Sequence, residues 1–161
     1  MKTLVLGLGN PILSDDGIGV LIAEAVRAAL PANTAVEVSE ASVGGLELME
    51  RLLGYRRVIL IDALYGNGYD TPGTIHKLTL DDLRTVSPTQ HSSSAHDTSL
   101  VTAWDMARKM DLPLPDEVII YGIEVKNILD FGDELTPAVA AVVPQVAEAV
   151  LLDLAQRPIS S

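Results

Sequence analysis

Leu4-Val5-Leu6, Val58-Ile59-Leu60-Ile61 and Val118-Ile119-Ile120 are apolar runs without polar alternation. A strand covered on both faces needs no such alternation, so these runs predict buried strands. Between them the apolar residues move to helical spacing. Ile18, Leu21, Ile22, Ala25 and Ala29 predict a helix from Asp16 to Leu30 that Pro31 stops. Thr34 to Ser39 alternates and reads as a second strand. Leu46 to Leu53 predicts a short helix with Leu46, Met49 and Leu52 or Leu53 inward, ended by Gly54. Arg57 to Ile61 is a strand with Asp62 at its C-terminal end, and Ala63 to Thr71 is a polar loop.

The second half is less regular. Thr74 to Leu80 is a weaker strand, and no helix long enough for a crossover separates it from Asp62. It is therefore expected at the sheet edge, running antiparallel. Asp81-Asp82-Leu83 starts a brief helical turn, and Ser87 to Asp97 is irregular. Leu100, Ala103, Trp104, Ala107 and Met110 space a helix over Thr98–Met110, followed by a strand from Glu117 to Gly122. Thr136 and Pro137 start a final helix, threonine capping it, with an apolar face of Val139, Val142, Val143, Val146 and Val150. Pro144 should kink it. Strands alternating with helices imply an α/β protein with a mostly parallel sheet covered on both faces.

With 161 residues and 48% hydrophobic positions, residues 1–155 are expected to form one domain, and residues 156–161 a frayed tail. No apolar run is read as approaching the roughly 20 residues that cross a bilayer. The N-terminus has no secretory leader pattern, so a cytoplasmic protein is expected, without membrane contact. The chain has no cysteine, which excludes disulfides, thiolate zinc sites and a cysteine nucleophile. A net charge of −11 argues against nucleic acid as a partner.

The chemistry gathers at the first turn, where Gly7-Leu8-Gly9-Asn10 leads to Asp15-Asp16-Gly17. A strand, a glycine turn and a helix suggest a phosphate site, but Ile12 stands where the dinucleotide fingerprint needs its third glycine. Two aspartates would also repel a pyrophosphate, so an acidic turn suits a cation. Capping of the helix by Ser14, Asp15 or Asp16 competes with this reading at the level of the local pattern. In open parallel sheets ligands sit at the carboxyl ends of the strands. Asp16 follows the first strand and Asp62 ends another, so neighbouring strands would bring both to one rim. Of the three histidines, His76 lies in the weak strand, and His91 and His96 in the irregular segment. His96 is the best third ligand, because a helix start disfavours imidazolium and leaves the ring able to donate its lone pair. Two carboxylates and an imidazole fit zinc, nickel, cobalt or manganese.

These residues, together with Ser94-Ala95-His96, Gly122-Ile123-Glu124 and Phe131-Gly132-x-x-Leu135-x-Pro137-x-Val139, resemble the hydrogenase maturation endopeptidases. The resemblance spans nearly the whole chain. It implies a three-layer α/β/α sandwich with a five-stranded sheet. It also implies a protease that removes the C-terminal peptide of the nickel–iron hydrogenase large-subunit precursor after nickel insertion. Asp16, Asp62 and His96 are then the metal ligands, with Asp16 and Asp62 catalytic and Ni2+ supplied by the substrate, though other divalent ions fit the same ligands. Asn10 and Asp15 are expected to face substrate, Asn10 chiefly by holding the turn. A monomer is expected. The opening is also similar to peptidyl-tRNA hydrolase, but that enzyme needs a histidine soon after the motif and a basic surface. A nickel-dependent checkpoint that holds the precursor without cutting it is a further alternative.

Overall fold

The computed structural model describes residues 2–10, 12, 14–43, 45–65, 68–85, 95–126, 132, 134–156, and for residues 45, 84–85 and 95–99 the backbone alone. Five strands form one sheet in the order β2-β1-β3-β5-β4. They are β1 (Thr3–Leu8), β2 (Val36–Ala41), β3 (Arg57–Leu64), β4 (Ile75–Leu78) and β5 (Glu117–Glu124). All pairs are parallel except β4 with β5, which is antiparallel and puts β4 at the edge as expected. The helices are α1 (Ile18–Ala29), α2 (Gly45–Leu52), α3 (Leu80–Thr85), α4 (Ala95–Lys109), α5 (Pro137–Ala140) and α6 (Val143–Ala155).

The uninterrupted apolar strands are needed because both faces are covered. Val5, Ile59, Ile61, Tyr121 and Ile123 face a core completed by Ile18, Ile22 and Val26 of α1 and by Val139, Val146 and Val150 of α5 and α6. Leu4, Leu6, Leu8, Val58, Leu60 and Ile120 face the other core, with Leu48, Leu52, Leu83, Leu100 and Trp104 from α2, α3 and α4. The fold is thus a three-layer α/β/α sandwich.

Several boundaries move. β3 runs to Leu64 and β5 to Glu124, because Ala63 and Leu64 pair with Ile123 and Glu124 and are buried. Leu46 and Met110, expected inward, are exposed at the ends of their helices, and Ala29 is exposed while Val26 takes the core position. The final helix divides at Ala141–Val142, with Pro144 in the first turn of α6, where its missing N–H costs nothing. Thr136 does not cap α5 with its side chain, because its hydroxyl is donated to Asp15. The span Pro137–Ala155 is long and apolar enough to cross a membrane by length and composition. That corrects the count of apolar runs; the reason for its composition is that Val139, Val142, Val146 and Val150 are buried in the core.

Gly7 stays inside β1 rather than turning the chain. A Cβ there would lie 2.2 Å from the Gly19 carbonyl oxygen, so its use is to let α1 lie directly on the sheet. Gly9 does make the turn, at φ +136°.

Candidate active site

The sheet order makes β1 and β3 neighbours whose chain connections leave in opposite directions. That is a topological switch point, and in such sheets ligands bind beyond the carboxyl ends of the strands. The turn after β1 fills this rim. Ser14–Gly17 forms a short 3-10 helix that packs against β3 and α1. Asp16 is half-buried there, and its Oδ2 accepts the Asn10 N–H at 2.8 Å. No other hydrogen bond from a described residue reaches that side chain. Asn10 turns its own Oδ1 back to the Ile12 N–H at 3.1 Å, a local turn that asparagine favours.

Asp62 lies inside β3, opposite Gly122 of β5, and is 3% exposed. Its Oδ1 accepts the Ala63 N–H at 2.9 Å. Ile61 before it pairs with Gly7 of β1, so Asp62 and the turn bearing Asp16 occupy one rim of the sheet.

The N-cap residue of α1 is Gly17, which has no side chain to cap with, and Asp16 accepts from Asn10 on the other side of the turn. Asp15, expected to face substrate, is 0% exposed. Its oxygens accept the Thr136 N–H at 2.7 Å, the Thr136 hydroxyl at 2.8 Å and the Lys126 N–H at 3.0 Å. A 3-10 helix advances about 120° per residue, so adjacent side chains leave in different directions. Asp15 goes in and Asp16 goes to the rim.

His96 lies in the first turn of α4, which begins at Ala95 rather than at Thr98. Ala95 is a strong helix former and carries the helix back over the histidine. The side chain of His96 and all of His91, Ser94 and Phe131 lie outside the described residues. Among the described residues no group of three or more acids and histidines is placed to hold a metal ion. The hard carboxylate oxygens of Asp16 and Asp62 suit a divalent cation.

One feature of this end of the molecule escaped sequence reasoning. Glu124, at the end of β5, is buried and takes the Thr71 N–H at 3.0 Å on Oε1 and approaches Nε2 of His76 at 2.7 Å on Oε2. Tyr69 meets the His76 ring edge-on. A charged residue closing an apolar strand was the available signal.

Fold and rim define an α/β/α protein that carries two carboxylates, Asp16 and Asp62, at the switch point of its sheet. The family model described as hydrogenase maturation protease matches residues 20–153, a range that includes Asp62 and His96 and begins after Asp16. The chain is 33% identical over 152 residues to the hydrogenase expression/formation protein HupD of Rhodobacter capsulatus, covering 92% of this chain and 70% of that one. It is 27% identical over 161 residues to the hydrogenase 2 maturation protease of Escherichia coli (strain K12), covering 100% and 95%. Its fold is similar to the hydrogenase maturating endopeptidase HybD from E. coli, with TM-score 0.77 and 29% identity over 96% of this chain and 92% of that one. A [NiFe] hydrogenase maturation protease HybD from Thermococcus kodakarensis gives TM-score 0.71 and 25% identity over 97% and 100%. The chain belongs to the hydrogenase maturation protease family, and it is an enzyme of peptide-bond hydrolysis.

Proposed function

We propose that this protease removes a C-terminal peptide from the large-subunit precursor of a nickel–iron hydrogenase, and that it does so once nickel is in place. Nickel belongs to the substrate in this reading. Asp16, Asp62 and His96 receive the precursor-borne ion and so fix the scissile peptide against the rim. The bound ion supplies Lewis acidity at the scissile carbonyl or to the attacking water. Asp16 and Asp62 orient that centre, and one of them takes the proton of the water as general base. The observation that carries the reading is the common rim of Asp16 and Asp62, beyond the ends of the adjacent strands β1 and β3.

The same reading has the protein working as a cytoplasmic monomer, without membrane or nucleic acid. Light scattering and cell fractionation test the first two. The central test is incubation of the purified protein with nickel-loaded and nickel-free precursor, with the C-terminus followed by mass spectrometry. Shortening of the loaded form alone is expected, and loss of it in Asp16→Ala and His96→Ala. Processing at the normal rate by either variant would refute the assignment. Retention of precursor without any mass change would favour a holding role.

A further inference from the structure

Asp15 accepts hydrogen bonds from Lys126 and Thr136, in two segments far away in the chain. Lys126 lies two residues beyond the end of β5, and Thr136 is the residue before α5. β5 is paired in register with β3, with Gly122 opposite Asp62. A path of fixed geometry therefore connects the two rim acids. It runs from Asp62 across the β3–β5 ladder to Lys126, through the Lys126 N–H to the Asp15 carboxylate, and along one peptide unit to Asp16.

We propose that Asp15 is a positioning residue whose buried carboxylate sets where Asp16 stands relative to Asp62. The proposal rests on the reading of Asp16 and Asp62 as the pair that meets the substrate. A carboxylate suits the task because it is acceptor-only on both oxygens. Asparagine would turn an NH2 group towards either the Thr136 or the Lys126 amide. The chain does not depend on Asp15 to bring these segments together. Ser14 N–H to the Gly132 carbonyl at 2.9 Å, Ser14 hydroxyl to the Glu134 carbonyl at 2.9 Å and Gly132 N–H to the Ile12 carbonyl at 2.8 Å hold the segment before Thr136, and Val125 N–H to the Leu64 carbonyl at 3.0 Å holds the one at Lys126. Neither Lys126 nor Thr136 belongs to the buried hydrophobic clusters. Loss of the Asp15 carboxylate should therefore shift the turn more than it unfolds the protein.

The test uses the full chain with Asp15→Asn, Thr136→Val and Thr136→Ser. Three quantities are measured: kcat and KM on nickel-loaded precursor, calorimetric affinity for nickel ion alone, and the urea midpoint. A displacement of about 1 Å at a reacting centre costs up to about 100-fold in rate. Asp15→Asn should lower kcat by about 10- to 100-fold, the protein still folded. Thr136→Val should lower kcat less, and Thr136→Ser, which keeps both donors, should match the wild type. A folded Asp15→Asn with wild-type kcat overturns the proposal, as does an equal loss in Thr136→Ser and Thr136→Val. If Asp15→Asn does not fold, Thr136→Val decides, and wild-type kcat there overturns it. If the wild type itself leaves the precursor intact, the proposed function fails instead. Nickel affinity then decides for Asp15: weakening by about 10-fold supports positioning, and equal affinity overturns it.

Discussion

Gly19 offers the sharpest test of how the rim is built. An alanine methyl there would lie 2.4 Å from the carbonyl oxygens of both Leu8 and Ile61, and 3.0 Å from the Leu8 nitrogen. These are backbone atoms of β1 and β3, so no rotamer change relieves the clash. Ordinary contact begins at 3.4 Å, so α1 would have to withdraw by about 1 Å. Overpacking of this kind costs about 1–3 kcal/mol, and the helix propensity of alanine over glycine returns at most about 1 kcal/mol. With the full return subtracted, the net expectation is destabilisation of up to about 2 kcal/mol. The 3-10 helix immediately before α1 would move with it, carrying Asp16 away from Asp62. Urea unfolding followed by the fluorescence of Trp104, the single tryptophan, reads the first effect. Cleavage of nickel-loaded precursor reads the second, with a loss of up to about 100-fold expected. Gly54→Ala is the control. Nothing lies within 4 Å of its added Cβ, but φ is +86°, so it should cost about 1 kcal/mol and leave cleavage unchanged. A Gly19→Ala protein that unfolds at or above the wild-type urea midpoint, at equal slope, would refute the close-approach argument.

Other expectations follow from named contacts. Asp62→Asn should weaken nickel binding measured by calorimetry, and unchanged affinity would remove Asp62 from the ligand set. Asp153→Ala strips the acceptor from the buried Tyr121 hydroxyl and should lower unfolding free energy by about 1–3 kcal/mol. The Lys77–Asp153 pair adds little to that, since the Lys77 side chain is 54% exposed. A wild-type midpoint in Asp153→Ala would show the hydroxyl needs no such partner. Burial, then the hydrogen bond to Asp153 and its charge, push the Tyr121 hydroxyl well above its ordinary value of 10.0. The folded state thus keeps this proton to higher pH than the unfolded chain. The stability linked to Tyr121 is full below about pH 10 and is lost as pH rises through the folded value. Tyr121→Phe should flatten the alkaline limb of the stability–pH curve, and an unchanged limb would contradict the assignment.

Much of the architecture was legible because burial on both sheet faces leaves a plain mark. Val58 to Ile61 could only be a covered strand, and the short link between Asp62 and Thr74 forced β4 to run antiparallel. Ends of elements were less legible. Ala63, Leu64, Ile123 and Glu124 belong to strands only because they pair with one another across the sheet, which no local pattern records. Leu46 and Met110 have the right spacing for the core, but each lies at an end of its helix and stays exposed.

The sequence by itself determined that strands and helices alternate, that two acids follow the first strand, and that a third acid closes a later one. Only the tertiary structure decided what the first two acids do. Asp15 and Asp16 are chemically identical neighbours, and local pattern offers capping to either. The 3-10 turn rotates one inward, where the Lys126 and Thr136 donors meet it, and leaves the other at the rim. Those donors lie 111 and 121 residues further along, so the difference between the two aspartates exists only once the sheet has brought both ends of the chain to one edge.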